Sequence, residues 1–217
     1  MKRIVGLTLG IACLTAALSA QAAGSAQLSV KGTIKPAACS LSLTGNGEIN
    51  YGTIHSGDLS QAAFTPLAEK TTGFNVRCDA KSTFAITFSD LQMGSKVTNI
   101  LGAGYSESQN FGLGAVGAQR TGGYSVTIRD LVASGTTLQP IMRNSSGNSS
   151  APWQLSDGKV AQLSQYSWRY GAAVAPASIS QLTGTIAVKA VINRAADLNL
   201  TNEVRLDGRA TIVLNYT

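Results

Sequence analysis

The sequence predicts an all-β sandwich in an exported chain. Three observations predict it. Short segments with period-two alternation of apolar and polar residues recur along nearly the whole length. Gly- and Ser-rich turns separate them. Two cysteines, Cys39 and Cys78, remain once an N-terminal export signal is set aside.

The signal is read in residues 1–22. Lys2 and Arg3 form a short positive start, an apolar run from Ile4 to Ala17 contains Cys13, and Ala20-Gln21-Ala22 is a small-x-small cleavage site. A membrane anchor is the alternative, but a run of about 14 residues is short of the roughly 20 needed to span a bilayer. Cleavage after Ala22 leaves residues 23–217, a length that suits one domain. It also takes the chain out of the reducing cytoplasm, so a cysteine pair can stay oxidised.

Taken in order, residues 27–34 alternate, with Leu28, Val30 and Ile34 on one face, and Pro36 stops them. Residues 39–43 read as a second strand, closed by the turn Gly45-Asn46-Gly47. Residues 49–52 form a short extended piece. Residues 74–78 place Phe74, Val76 and Cys78 on one face, and residues 84–88 do the same for Phe84, Ile86 and Phe88. Strands follow at 124–128, 138–142, 168–174, 184–192 and 210–216. Residues 144–150 are a low-complexity loop. No segment predicts a helix longer than two turns. Regular short strands between turns of this kind argue for a sandwich.

Cys39 and Cys78 each lie within or at the end of an alternating segment, so both side chains are able to face one core. A bridge there is worth about 3–4 kcal/mol by loop-closure arithmetic. The competing reading, a pair of reactive or metal-binding thiols, lacks a CxxC and a nearby histidine.

Several chemistries lack their residues. His55 is the single histidine and lies in a turn-like stretch. There is no Gly-x-Ser-x-Gly elbow to supply a nucleophile. Gly112-Leu113-Gly114-Ala115-Val116-Gly117 fits G-x-G-x-x-G, but a dinucleotide site needs a helix to open there, and the residues that follow read as another strand. The acidic residues lack calcium-loop spacing. Charged residues make up only 13% of the chain, and the net charge of +6 comes from scattered basic residues, with no basic and aromatic cluster for nucleic acid. The expectation is a protein without catalysis, cofactor, metal or nucleic-acid partner.

Four stretches carry a family resemblance. Residues 28–39 end in Gly32-Thr33-Ile34 and Ala38-Cys39. Residues 50–59 contain Tyr51-Gly52-Thr53-Ile54. Residues 74–78 reach the second cysteine, and residues 206–217 alternate up to the penultimate Tyr216. In this order, behind an export signal, they resemble subunits of bacterial chaperone–usher pili. Together with Phe111-Gly112-Leu113-Gly114, the ending is most similar to a poorly characterised branch of pilin-like exported proteins.

The resemblance implies an immunoglobulin-like sandwich that is incomplete, missing its last strand, with one disulfide between Cys39 and Cys78. It implies donor-strand complementation: a periplasmic chaperone lends a strand, and at the outer-membrane usher a neighbouring subunit replaces it. Carried onto this chain, Ala210, Ile212, Leu214 and Tyr216 line one edge of the groove, and the carboxylate of Thr217 is held by the chaperone. The chain departs from the family at Val204, where a glycine is usual, Gly208 being the nearest. Only residues 23–27 precede the first alternating segment. Either residues 23–34 donate the strand, with Ala26, Leu28, Val30 and Ile34 as plugs and Gly32 as a notch, or the subunit ends a fibre or does not polymerise.

The expected location is a cell-surface fimbrium reached through the periplasm. Two other classes stay open. One is a tip or surface adhesin with a glycan or host protein as its receptor, for which Trp153, Trp168, Tyr166 and Tyr170 are candidate stacking aromatics, with core packing the favoured role of Trp168 in its alternating strand. The other is a free periplasmic or secreted β-sandwich with a complete fold.

Overall fold

A computed structural model of the chain describes residues 26–35, 37–144 and 151–217. The expected signal at 1–22, Ala23 and most of the low-complexity loop lie outside the described residues. Among the described residues the strands are, in chain order, β1 Cys39–Leu43, β2 Thr65–Pro66, β3 Lys70–Ser82, β4 Phe84–Asp90, β5 Phe111–Gly112, β6 Ala115–Val116, β7 Gln119–Arg120, β8 Gly122–Ala133, β9 Thr136–Thr137, β10 Gln139–Asn144, β11 Gln154–Leu155, β12 Ser164–Arg169, β13 Ile179–Ile192 and β14 Ala210–Tyr216. The helical elements are short 3-10 turns.

Two antiparallel sheets form the sandwich. One runs β1-β3-β13-β8-β5, with β2 also on β13 and β9 on β8; the other runs β11-β10-β12-β4-β14. The order β1-β3-β13-β8 is the A-B-E-D sheet of an immunoglobulin fold, and β4 and β14 stand where strands C and F stand. Strand G would lie against the outer edge of β14. No strand occupies that place among the described residues, so the sandwich is all-β, immunoglobulin-like and incomplete on one side.

Alternation sets the core. Phe74 and Val76 of β3 meet Phe84, Ile86 and Phe88 of β4, all at most 3% exposed. Tyr166 and Trp168 of β12 are fully buried, and the Trp168 ring meets Phe84 edge-on, 4.8 Å between centroids. Each large side chain buried this way stabilises the fold by about 1.5–3 kcal/mol. Cys39 and Cys78 are directly opposite across β1 and β3 and are bonded, S–S 2.01 Å.

Three expected strands differ. Residues 26–35 carry no strand, and Leu28, Val30 and Ile34 are 88%, 89% and 101% exposed. Alternation supplies a face, but a strand also needs a partner for its main chain, and none of the sheet pairings uses these residues. Residues 49–52 also form no strand, because Gly52 turns the chain at φ 70°. The strand expected at 168–174 is β12, shifted back, because Gly171 at φ 57° turns the chain just past Arg169. The G-x-G-x-x-G stretch is β5 followed by the β6–β7 hairpin, with no helix opening there. Gly112 is required by contact: a Cβ on it would lie 2.1 Å from the Gln92 carbonyl oxygen.

Candidate binding cleft

The two strands at the open side each present an unpaired edge. Leu91 donates to the Arg209 carbonyl at 2.9 Å, and Thr217 donates to the Thr83 carbonyl at 3.2 Å. Odd-numbered residues of β14 therefore bond to β4. In an antiparallel ladder the even ones, Ala210, Ile212, Leu214 and Tyr216, turn their N–H and C=O groups the other way. On β1, Asp79 donates to the Ala38 carbonyl at 3.0 Å. By the same alternation, Cys39, Leu41 and Leu43 turn theirs outward. Unpaired edges of this kind are templates for another strand.

One end of the space between these edges is tied shut. The Cys39 N–H donates to the Tyr216 hydroxyl at 2.9 Å. The disulfide fixes Cys39 on β3, so the tie anchors the end of β14 to a rigid point. Thr83 Oγ1 donates to the Thr217 carbonyl at 2.6 Å and holds the last residue beside β4.

Away from the tie a cleft of about 1130 Å³ opens. Its floor is core surface, including Phe88, Leu113, Tyr124, Val126 and Ile186. Its walls include Leu43 at the end of β1 and Ala210 and Ile212 on β14. Gly208 lies over the Tyr124 ring, where a Cβ would come within 2.8 Å of Cε1. Burial pushes the Tyr124 phenol far above its ordinary range, and the Asp90 carboxylate adds to that.

Two loops frame the mouth, residues 47–59 after β1 and residues 198–209 before β14. Tyr51 straps the first loop to β13: its hydroxyl donates to the Val188 carbonyl at 3.0 Å and accepts from the Ala190 N–H at 3.2 Å. Burial raises the Tyr51 pKa against the lowering effect of that accepted bond. Asp207 anchors the second loop: its N–H donates to the Leu113 carbonyl at 2.9 Å, and its carboxylate accepts from Arg209 and Gln92. The Arg209 guanidinium, foremost, holds that carboxyl below its usual range.

The residues expected at the groove are thus brought to one edge but are not alike. Ala210 and Ile212 line the cleft, Leu214 packs on the core beside it, and Tyr216, 54% exposed, closes its end. The candidate donor residues Ala26, Leu28, Val30, Gly32 and Ile34 form an exposed stretch. One candidate stacking aromatic is corrected, since Tyr166 is a core residue at 0% exposure, while Trp168 packs in the core at 0% as its alternating strand predicts. Trp153 stacks under the Arg143 guanidinium at 4.6 Å, and Tyr170 is 41% exposed. His55 is exposed ahead of a 3-10 turn. Among the described residues no three His, Cys, Asp or Glu side chains gather as a metal would require.

Sequence reasoning missed the floor and the mouth. Tyr124 and Val126 were legible as strand residues, but which strands border an open side depends on sheet order. Glu48 and Glu203 lie in loops without periodicity, and Tyr51 and Leu206 fall in stretches that carry the family resemblance, which gives no contact for them.

Residues 28–125 match the model of a family described as a protein of unknown function, DUF1120. That span holds both cysteines, β1, the Tyr51 loop and the floor residue Tyr124, and ends before β14. The uncharacterized protein YhcF of Escherichia coli strain K12 is 26% identical over 225 residues, covering 92% of this chain and 94% of the relative. Protein GltF of the same strain is 23% identical over 252 residues, covering 99% and 98%. The chain is therefore similar to these bacterial proteins over nearly its full length.

Proposed function

We propose that this chain is a structural subunit of a surface fibre, exported through the periplasm, whose cleft is filled by a strand from another chain. The observation that carries the reading is the pair of unpaired edges, β1 and β14, on either side of a cleft floored by core residues. An added strand satisfies both edges, and its alternate side chains cover the floor, which is β-strand addition. A periplasmic chaperone lends the strand first, and at the outer-membrane usher a neighbouring subunit replaces it. The contact is head-to-tail and does not close on itself, so it builds a fibre. Catalysis has no part in this reading, and adhesion follows from assembly.

The test is co-expression with a cognate periplasmic chaperone, followed by size-exclusion chromatography. The reading expects a one-to-one complex, and aggregation or degradation of the chain without the chaperone. A stable, soluble monomer that ignores the chaperone would remove it.

A further inference from the structure

We infer that Asp90, at the end of β4, is a positioning residue for strand uptake: its carboxylate anchors a closed ring of bonds that sets the cleft floor at Leu113 and the entry into β14 at Asp207. This role rests on the strand-acceptor reading and adds to it the side chain that holds the acceptor in shape.

Asp90 Oδ2 accepts the Gly112 N–H at 2.9 Å, and Oδ1 accepts the Gln92 N–H at 2.8 Å. Both bonds lead to Asp207. From Gly112 the chain passes to Leu113, whose carbonyl accepts the Asp207 N–H at 2.9 Å. From Gln92 the side-chain amide donates to the Asp207 carboxylate at 3.0 Å. Ser95 braces the ring: its hydroxyl donates to the Gln92 carbonyl at 2.7 Å and accepts the Gly114 N–H at 2.9 Å. Asp207 lies just ahead of β14, and Leu113 and Asp207 both line the cleft.

Asp90 is 7% exposed. A carboxylate buried this far is tolerable only when hydrogen-bonded. Because it only accepts, it suits a point where two main-chain N–H groups converge. The same ring explains the stretch Phe111-Gly112-Leu113-Gly114, all four of which are buried. A Cβ on Gly112 would collide with Ser95 Oγ as well as with the Gln92 carbonyl, and one on Gly114 would lie 3.2 Å from Asp207 Cβ. The two glycines let the turn after β4 and Asp207 approach the main chain, and Leu113 between them forms floor. An added strand must reach the β14 edge and the floor together, and the ring fixes one against the other. A site held in this way does not have to be ordered when the strand arrives, so losing the ring should weaken uptake beyond what lost stability explains.

The test compares the full oxidised chain with Asp90→Asn, Ser95→Ala and a stability control, Ile141→Val, which trims a fully buried side chain on β10, outside the cleft lining. The asparagine keeps one acceptor and turns a donor toward the other N–H. In hydrogen exchange the Asp207 amide, which Asp90 does not touch, should become about tenfold faster in Asp90→Asn, while the Val213 amide, bonded to β4, keeps its rate. Uptake is read with a labelled donor peptide of residues 23–34 and, separately, with the periplasmic chaperone. It should be about tenfold weaker in Asp90→Asn, less weakened in Ser95→Ala and native in Ile141→Val. An unchanged Asp207 amide, or uptake in Asp90→Asn no weaker than in Ile141→Val, would overturn the inference. If Asp90→Asn does not fold, Ser95→Ala supplies both readouts, and native values there would overturn it. If the native chain takes up neither probe, the strand-acceptor reading itself fails, and the role of Asp90 falls with it.

Discussion

The Tyr216 hydroxyl accepts the main-chain N–H of Cys39 at 2.9 Å, joining the last strand of one sheet to the first strand of the other. The residues are 177 positions apart in sequence. Without this tie, β1 and β14 have no pairing between them. Tyr216→Phe keeps the ring and removes the acceptor. It should cost about 0.5–1.5 kcal/mol, read as a lower denaturant midpoint at unchanged slope. An unchanged midpoint would mean the tie holds nothing.

Ile212 and Val213 are neighbours on β14 with opposite roles. Ile212 lines the cleft and packs on the core, whereas Val213 is 44% exposed on the other face. Ile212→Asp puts a charge on the cleft wall and should abolish chaperone capture. Val213→Asp should leave it intact, as measured by co-purification. Equal loss in both variants would mean that β14 matters only for folding.

Gly208 is fixed by the Tyr124 ring. In Gly208→Ala the new methyl would sit 2.8 Å from Tyr124 Cε1 and 3.1 Å from Leu113 Cδ2, so the floor must shift. Overpacking of this kind should cost about 1–3 kcal/mol and reduce strand uptake. Native stability with native uptake would show that the floor yields freely.

The phenols of Tyr51, Tyr124 and Tyr166 are all pushed up, chiefly by burial. A phenol whose pKa is higher folded than unfolded contributes fully below the unfolded value, near 10, and loses that contribution as pH rises through the folded one. Stability should therefore hold at about pH 8 and fall by about pH 11, and Tyr124→Phe should flatten the fall. Denaturant midpoints at the two pH values check this; equal midpoints in the native chain would contradict it.

Much of this was legible wherever a residue's role depends on its immediate neighbours. The alternation of residues 210–216 marked β14, Phe84, Ile86 and Phe88 marked a core strand, and the two cysteines marked the bridge. Legibility failed where a role depends on a distant partner. Residues 27–34 alternate as well as β14 does, yet form no strand, because pairing is decided across the sheet. The Tyr51 hydroxyl reaches β13, 137 positions away, and no local pattern announces that contact. The cleft itself follows from sheet order, since it opens where β1 and β14 end their sheets without pairing with each other.

The central claim, that β14 awaits a strand, is tested most directly by amide hydrogen exchange along residues 210–217, without and with the donor peptide or chaperone. The account predicts an alternating pattern in the free chain, with Thr211, Val213 and Asn215 protected by β4 and Ile212 and Leu214 exchanging fast. It predicts protection of Ile212 and Leu214 once a strand is supplied. If both are already protected in the free chain, or stay unprotected with the donor bound, β14 is not the acceptor edge and the account is wrong.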